Sequence, residues 1–285
     1  MQLRHIVAAA DESDAGRQAV RTATALASRA EARVTVLRVA ATESSRLDVS
    51  REAGFEDGRN GKAAQAYLRR WIEADVLEPA EARKVELAIV SGIPGIEICR
   101  FAERVGADLV VLGRKRHSPM MRLLLGDTAD AVARRSLIPC LFVPPGSIET
   151  RKVLVALDGS DRGMNVLTQA CDFVRYAGGT IQVVTVERSP GNEPLQLVST
   201  LPVTRSSSLQ ERVREVLVRE GLPDLPLAIQ RGDVLERVVA EVQETGADVL
   251  VVGYHRGGPP GVLEAGSTAR RLAHATPCAV LTIPL

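Results

Sequence analysis

Aromatic residues are scarce in this chain: one Trp, three Tyr and four Phe make up 3% of 285 residues. Proteins that grip single-stranded nucleic acid stack bases on aromatic platforms beside a basic stripe. The stripe is missing too, because 36 Lys and Arg face 35 Asp and Glu, so no nucleic-acid partner is expected. This near-neutral balance also gives no overall field that would draw the chain onto an anionic membrane. Cysteine is equally sparse. Cys99, Cys140, Cys171 and Cys278 stand far apart, with no CxxC or Cys/His spacing, which argues against a zinc site and against a small disulfide scaffold. They read as reduced, mostly buried thiols, and no metal is expected. No 18 uncharged apolar residues occur in a row, and Asp11 closes the apolar run near the start before it reaches the length of a signal segment. The expected location is cytoplasmic.

Catalytic signatures are also missing. A Walker A loop needs Gly-x4-Gly-Lys-Ser/Thr, yet the pair Gly61 and Lys62 has Glu56 where the first glycine belongs and Ala63 where the hydroxyl belongs. There is no Gly-x-Ser-x-Gly elbow and no His-Glu-x-x-His. The four histidines, His5, His117, His255 and His274, show no partner spacing that suggests a general base. A non-enzyme is expected, slow ATP hydrolysis aside.

What the chain does have is 45% hydrophobic and 25% charged residues, the balance of a folded globular protein, and a length that suits two domains. It also has a repeat. The run Ile6 to Ala10, followed by Asp11, Ser13 and Gly16, returns as Val153 to Leu157, followed by Asp158, Ser160 and Gly163, 147 residues on. Further along, Gly92 matches Gly232, Asp108 matches Asp248, Gly113 matches Gly253, Gly126 matches Gly266 and Pro144 matches Pro284, all 140 residues apart. A seven-residue deletion therefore separates the copies. It falls where the first copy carries the polar stretch Glu43 to Asn60 and the second carries Ser189 to Ser208, and loops absorb such changes. The domains are then 1–146 and 151–285, joined through a Pro/Gly/Ser-bearing break.

Short β-branched runs predict strands at Ile6 to Ala10, Val34 to Val39, Val85 to Val90, Leu109 to Leu112 and Leu141 to Val143. In the second copy the same pattern predicts Val153 to Leu157, Ile181 to Val186, Leu225 to Ile229, Val249 to Val252 and Ala279 to Ile283. Amphipathic stretches between them, such as Ala15 to Arg29, Ala63 to Ala74, Ile96 to Val105 and Val234 to Thr245, predict helices. Apolar strands alternating with helices imply a parallel sheet covered on both faces. The expected fold is α/β: two tandem doubly wound modules, each a five-stranded parallel sheet with helices on both faces.

In such a sheet a ligand binds beyond the carboxyl ends of the strands. Asp11 and Asp158 follow the first strand of each copy, where a carboxylate would accept from a ribose hydroxyl or an amine; equally, each would serve as a helix N-cap. After the fourth strand of the second copy, Gly253 leads through a glycine-rich loop to Gly266, Ser267 and Thr268 at a helix start. Free N–H groups, hydroxyls and the helix dipole there suit an anion. The plainer alternative is a surface loop followed by an ordinary cap.

These residues carry a resemblance. The unit is similar to the universal stress protein family, of the adenine nucleotide alpha hydrolase-like fold, whose nucleotide-binding members show G-x2-G-x9-G-[ST] between strand four and helix four. Gly253, Gly266 and Ser267 match at the right spacing, as do Gly92 with Pro94 and the Gly-Ala-Asp runs at Gly106 to Asp108 and Gly246 to Asp248. The second glycine of the motif is replaced by Arg116 in one copy and Arg256 in the other, and Asp127 stands where the first copy should carry Ser or Thr. A carboxylate there would repel phosphate, so the second copy is the favoured site.

The resemblance implies a stress-response regulatory protein that binds ATP or AMP, with or without Mg2+, and signals through an unidentified protein partner. Its implied nucleotide-binding residues are Asp158, Val186, Gly253, Arg256, Gly266, Ser267 and Thr268. A weaker site in the first copy would use Asp11, Val39, Gly113, Arg116, Gly126 and Thr128. The run Arg114 to His117 would either add positive potential to that weaker site or be simply a solvated loop, and the solvated loop is expected. The resemblance also implies pairing of modules through the fifth strand, with Leu141 to Val143 near Ala279 to Ile283, and a homodimer. The alternative function is an adaptor of the same fold that binds no nucleotide.

Overall fold

The computed structural model describes residues 1–40, 61–114, 126–146, 149–187, 206–222, 227–254 and 267–285. They divide into two compact units, essentially residues 2–148 and 149–285.

In the first unit, β1 (His5–Ala9), β2 (Arg33–Ala40), β3 (Glu86–Ser91), β4 (Leu109–Gly113) and β5 (Cys140–Val143) lie in the order β3-β2-β1-β4-β5, and all four pairings are parallel. The chain builds outward from β1 to β3 and then returns to the other side of β1, so the order reverses between β1 and β4. Ile6, Val7 and Ala8 of β1 and Leu109, Val110 and Val111 of β4 are fully buried, as a strand covered on both faces requires. Burial of each Val or Leu side chain contributes about 1.5–3 kcal/mol. Helices α1 (Asp14–Ala30), α2 (Gly61–Trp71), α3 (Pro79–Ala82), α4 (Pro94–Arg104) and α5 (Asp127–Arg135) cover the sheet on both sides. Gly95 lets α4 and α5 touch, since a Cβ there would stand 2.5 Å from the Ala131 methyl.

The second unit repeats the plan. Strands β6 (Lys152–Leu157), β7 (Thr180–Glu187), β8 (Leu227–Arg231), β9 (Val249–Tyr254) and β10 (Ala279–Pro284) lie in the order β8-β7-β6-β9-β10. The pairings of β6 with β7 and β9, and of β7 with β8, are parallel. Its helices are α6 (Asp161–Ala177), α7 (Ser206–Arg219), α8 (Val234–Thr245) and α9 (Ser267–Ala275).

Equivalent atoms confirm the duplication. Asp108 Oδ2 accepts from the Arg4 and His5 N–H groups at 2.8 and 3.0 Å, and Asp248 Oδ2 accepts from those of Arg151 and Lys152 at 3.1 and 2.9 Å. These bonds tie the entry of β4 or β9 to the entry of the central strand. On the opposite edge, the Gly92 N–H donates to Ala40 and the Gly232 N–H to Glu187, with both glycines at φ above +130°. Gly there accommodates the sharp exit from β3 and β8.

Two expected elements have different bounds. The amphipathic stretch from Ala63 does not continue as one α-helix to Ala74: after Trp71 it widens into a π-helical turn, Ile72–Val76, closed by the Leu77 N–H on the Ile72 carbonyl at 2.9 Å. Trp71, Ile72, Val76 and Leu77 are all buried along it. A short α3, begun at Pro79, follows it and was not anticipated. The third strand of the second copy runs over Leu227–Arg231, and Leu225 lies outside the described residues. The stretches in which the copies differ in length, Glu43 to Asn60 and most of Ser189 to Ser208, also lie outside them. Among the described residues no helix is long and apolar enough to cross a membrane.

Candidate functional site

The carboxyl ends of β1, β2 and β4 and the start of α5 enclose a cavity of about 520 Å³ in the first unit. Its walls include Asp11 after β1, Val39 on β2, Gly113 at the end of β4, and Gly126 and Thr128 at the start of α5. Five of the six residues implied for the first copy therefore share one crevice; the sixth, Arg116, lies outside the described residues. The crevice opens where the strand order reverses, the position at which doubly wound sheets bind ligands, and its size falls within the roughly 300–1,000 Å³ of small-molecule sites.

Much of the wall is apolar and was not singled out from the sequence: Leu37, Pro94, Ile98 and Leu112 join Val39 there. The signal was available in the spacing. Leu37 and Val39 stand two apart on one face of a strand, and Pro94 and Ile98 stand four apart on one face of a helix.

Asp11 is not the cap of α1. The cap is Ser13, whose Oγ accepts from the Gly16 N–H at 3.1 Å. Asp11 Oδ1 braces that cap by accepting from the Ser13 N–H at 3.1 Å and from the Ser13 hydroxyl. The second unit repeats the device: Ser160 caps α6 through the Gly163 N–H at 3.0 Å, and Asp158 Oδ1 accepts from the Ser160 N–H and Oγ at 3.0 and 2.7 Å. In both units Oδ2 accepts nothing among the described residues and remains available at the exposed end of the central strand. A side chain at Gly16 would collide with Asp11, its Cβ standing 2.1 Å from the Asp11 carbonyl oxygen, so glycine holds the cap and the strand end together.

Helix α5 starts at Asp127 with Gly126 as its cap, a residue with no side chain to bond the first N–H groups. Those groups face the crevice, because Gly126, Asp127 and Thr128 all line it. A Cβ on Gly126 would meet nothing within 4 Å.

In the second unit, Val186 is half-buried near the end of β7, opposite Gln230, and Asp158 is exposed beyond β6. Gly253 packs against Leu285 and Val166, where a Cβ would stand 2.7 Å from Leu285 Cδ1. Ser267 begins α9, and Thr268 follows half-buried. Arg256 and Gly266 lie outside the described residues.

Arg114 corrects the expectation of a solvated basic loop. It is completely buried, and its N–H continues the sheet by donating to the Val143 carbonyl at 2.7 Å, while Lys115 to His117 lie outside the described residues. All four cysteines are buried, and none is in a disulfide among the described residues. Among the described residues no group of three or more His, Cys, Asp or Glu side chains could hold a metal ion.

A doubly wound module, present twice, with a crevice at the switch point of the first copy, defines the class. The description "Universal stress protein family" matches residues 2–144 and again 149–284. The chain belongs to that family. A universal stress protein of Mycobacterium tuberculosis is 28% identical over 67% of this chain and 65% of its own length. Another, from Methanocaldococcus jannaschii, is 37% identical over 21% of this chain and 35% of its own. The match thus spans less than two thirds of either relative. Among solved structures, a universal stress protein from Archaeoglobus fulgidus superimposes with a TM-score of 0.72 at 20% identity, covering 100% of this chain and 99% of that one. A likeness at that identity establishes the fold.

Proposed function

We propose that this is a regulatory protein of the stress response that binds an adenine nucleotide, ATP or AMP with or without Mg2+, and passes the bound state to a partner protein. The supporting observation is the crevice of the first unit, where Asp11, Val39, Gly113, Gly126 and Thr128, separated by up to 117 positions, line one cavity. Membership of the family adds to it. The second unit is the proposed nucleotide site. There Ser267 and Thr268 open α9, and a helix start with hydroxyl-bearing residues stabilises phosphate through its leading N–H groups and the helix dipole. Binding would act by shifting the population of a partner-binding state.

The protein is further proposed to be a binding module and not a catalyst, working in the cytoplasm as a homodimer. Native mass spectrometry of the purified chain, with calorimetric titration of ATP and AMP, tests the central point. The expected result is stoichiometric adenine nucleotide; a chain with none bound and none titratable would be the adaptor. ATP turnover well above background would overturn the non-catalytic reading, and light scattering in solution checks the dimer.

A further inference from the structure

We propose that His5 is a pH-operated latch between the central strand β1 and the carboxyl end of α4, a device that the first unit has and the second lacks.

His5 opens β1 and is 3% exposed. Its neighbour across the ladder in β2 is Arg33, and Thr35, two residues on, lies beside Glu86 of β3. Among the described residues the ring makes three polar contacts. Nε2 stands 2.8 Å from Thr35 Oγ1, while Nδ1 stands 3.5 Å from Arg33 Nη2 and 3.3 Å from the carbonyl oxygen of Val105, the C-cap of α4. The Thr35 hydroxyl donates to Glu86 Oε2 at 3.1 Å. A hydroxyl has one proton to give, so Thr35 accepts from the ring and Nε2 carries a hydrogen.

That assignment leaves Nδ1 with two partners of opposite kind. A guanidinium donates and a carbonyl accepts, so the neutral ring bonds Arg33 and the charged ring bonds Val105. Protonation therefore exchanges one bond for the other, while the chain from Nε2 through Thr35 to Glu86 is kept. The last carbonyls of a helix lack partners within it, and the negative pole there favours an imidazolium. Arg33, now a like charge, turns away into solvent, where its side chain is already 64% exposed.

The remaining charged groups around the ring come from each packed element. Glu86 reaches it through Thr35, and Asp108 at the entry of β4 accepts the His5 N–H at 3.0 Å. Arg4 precedes it on its own strand, and Glu103 and Arg104 lie in the last turn of α4. An imidazole changes charge between about pH 5 and 8, so mild acidification suffices. Helix α4 also contributes Pro94 and Ile98 to the crevice, so the latch holds the helix that forms one of its walls. In the second unit, 147 residues on, Lys152 replaces His5 and Thr180 replaces Arg33, and no ring is there to switch.

Hydrogen exchange of the full-length chain, followed by mass spectrometry at about pH 5.5 and 7.5 and corrected for the intrinsic rate, reads the two units separately. Peptides covering the end of α4 are expected to exchange about threefold to tenfold more slowly at the lower pH, with those covering α8 unchanged. His5→Gln should abolish the difference. Because His5 is buried, Arg33→Met at an exposed position is a second arm, and it should shrink the difference by removing the partner of the neutral ring. Nitrogen-15 NMR of labelled histidine should find the hydrogen of the neutral ring on Nε2. Equal protection of α4 at both pH values, a difference unchanged in either variant, or a neutral ring with its hydrogen on Nδ1 would each overturn the latch. No nucleotide enters these measurements, so their failure would leave the proposed function standing.

Discussion

Gly113 approaches Ala15 so closely that a Cβ on the glycine would stand 2.3 Å from the Ala15 carbonyl oxygen and 2.6 Å from its methyl group. The end of β4 is thereby locked against the first turn of α1. Gly113 lines the crevice, yet helix packing already requires glycine there. Gly113→Ala should cost about 1–3 kcal/mol in overpacking. Gly126→Ala, whose methyl would enter open space at an ordinary φ of −62°, should cost less than about 1 kcal/mol. Urea unfolding of the two variants compares them. Equal losses would show that the contact with Ala15 yields without strain.

Helices α1 and α6 end at equivalent positions, Glu31 and Gly178, both left-handed with φ of 54° and 67°. A left-handed L-residue costs roughly 1–2 kcal/mol and glycine nearly nothing, although glycine also loses more entropy on folding. The net expectation is that Glu31→Gly stabilises the protein by about 0.5–1 kcal/mol. A denaturation midpoint that stays level or falls would show that the Glu31 side chain offsets its own strain.

The thiols should be inert at neutral pH. Burial pushes Cys140 up to about 12, and burial followed by the nearby Glu103 and Glu220 carboxylates pushes Cys99 and Cys171 up to about 11. Each folded-state value lies above the roughly 8.5 of a free thiol. The stability is therefore complete below that value and is lost as pH rises towards 11 to 12, at up to about 1.4 kcal/mol per thiol per pH unit. A disulfide-exchange reagent should find almost no thiol in the native protein and all four in denaturant. Cys140→Ala should flatten the loss of stability between pH 9 and 11. Rapid native labelling would show that one of the thiols opens to solvent.

The division into two modules, the strand sequence and part of the crevice were readable because each leaves a pattern in the chain: a fixed offset, a β-branched run, a carboxylate directly after the first strand. The widening after Trp71 was not readable, because a π turn shifts the helical phase by one residue without changing composition. Asp11 was ambiguous for another reason. An aspartate that caps a helix and one that braces the serine doing so occupy nearly the same position, and only the bond from Ser13 Oγ to Gly16 separates them. Arg114 was misread because its neighbours are polar, whereas burial followed from β4 continuing one residue further along β5. Arg116, Arg256 and Gly266 fall outside the described residues, so the motif was legible further than its geometry.

Among the crevice positions, Gly16 and Gly113 are pinned by neighbouring backbone, whereas Gly126 faces open space and Asp127 is exposed. Architecture and chemistry are thus assigned to different positions. One can drift while the other holds, so an exchange of the residue that opens the helix after the fourth strand, Asp127 in one copy and Ser267 in the other, would leave the packing at Gly16 and Gly113 undisturbed.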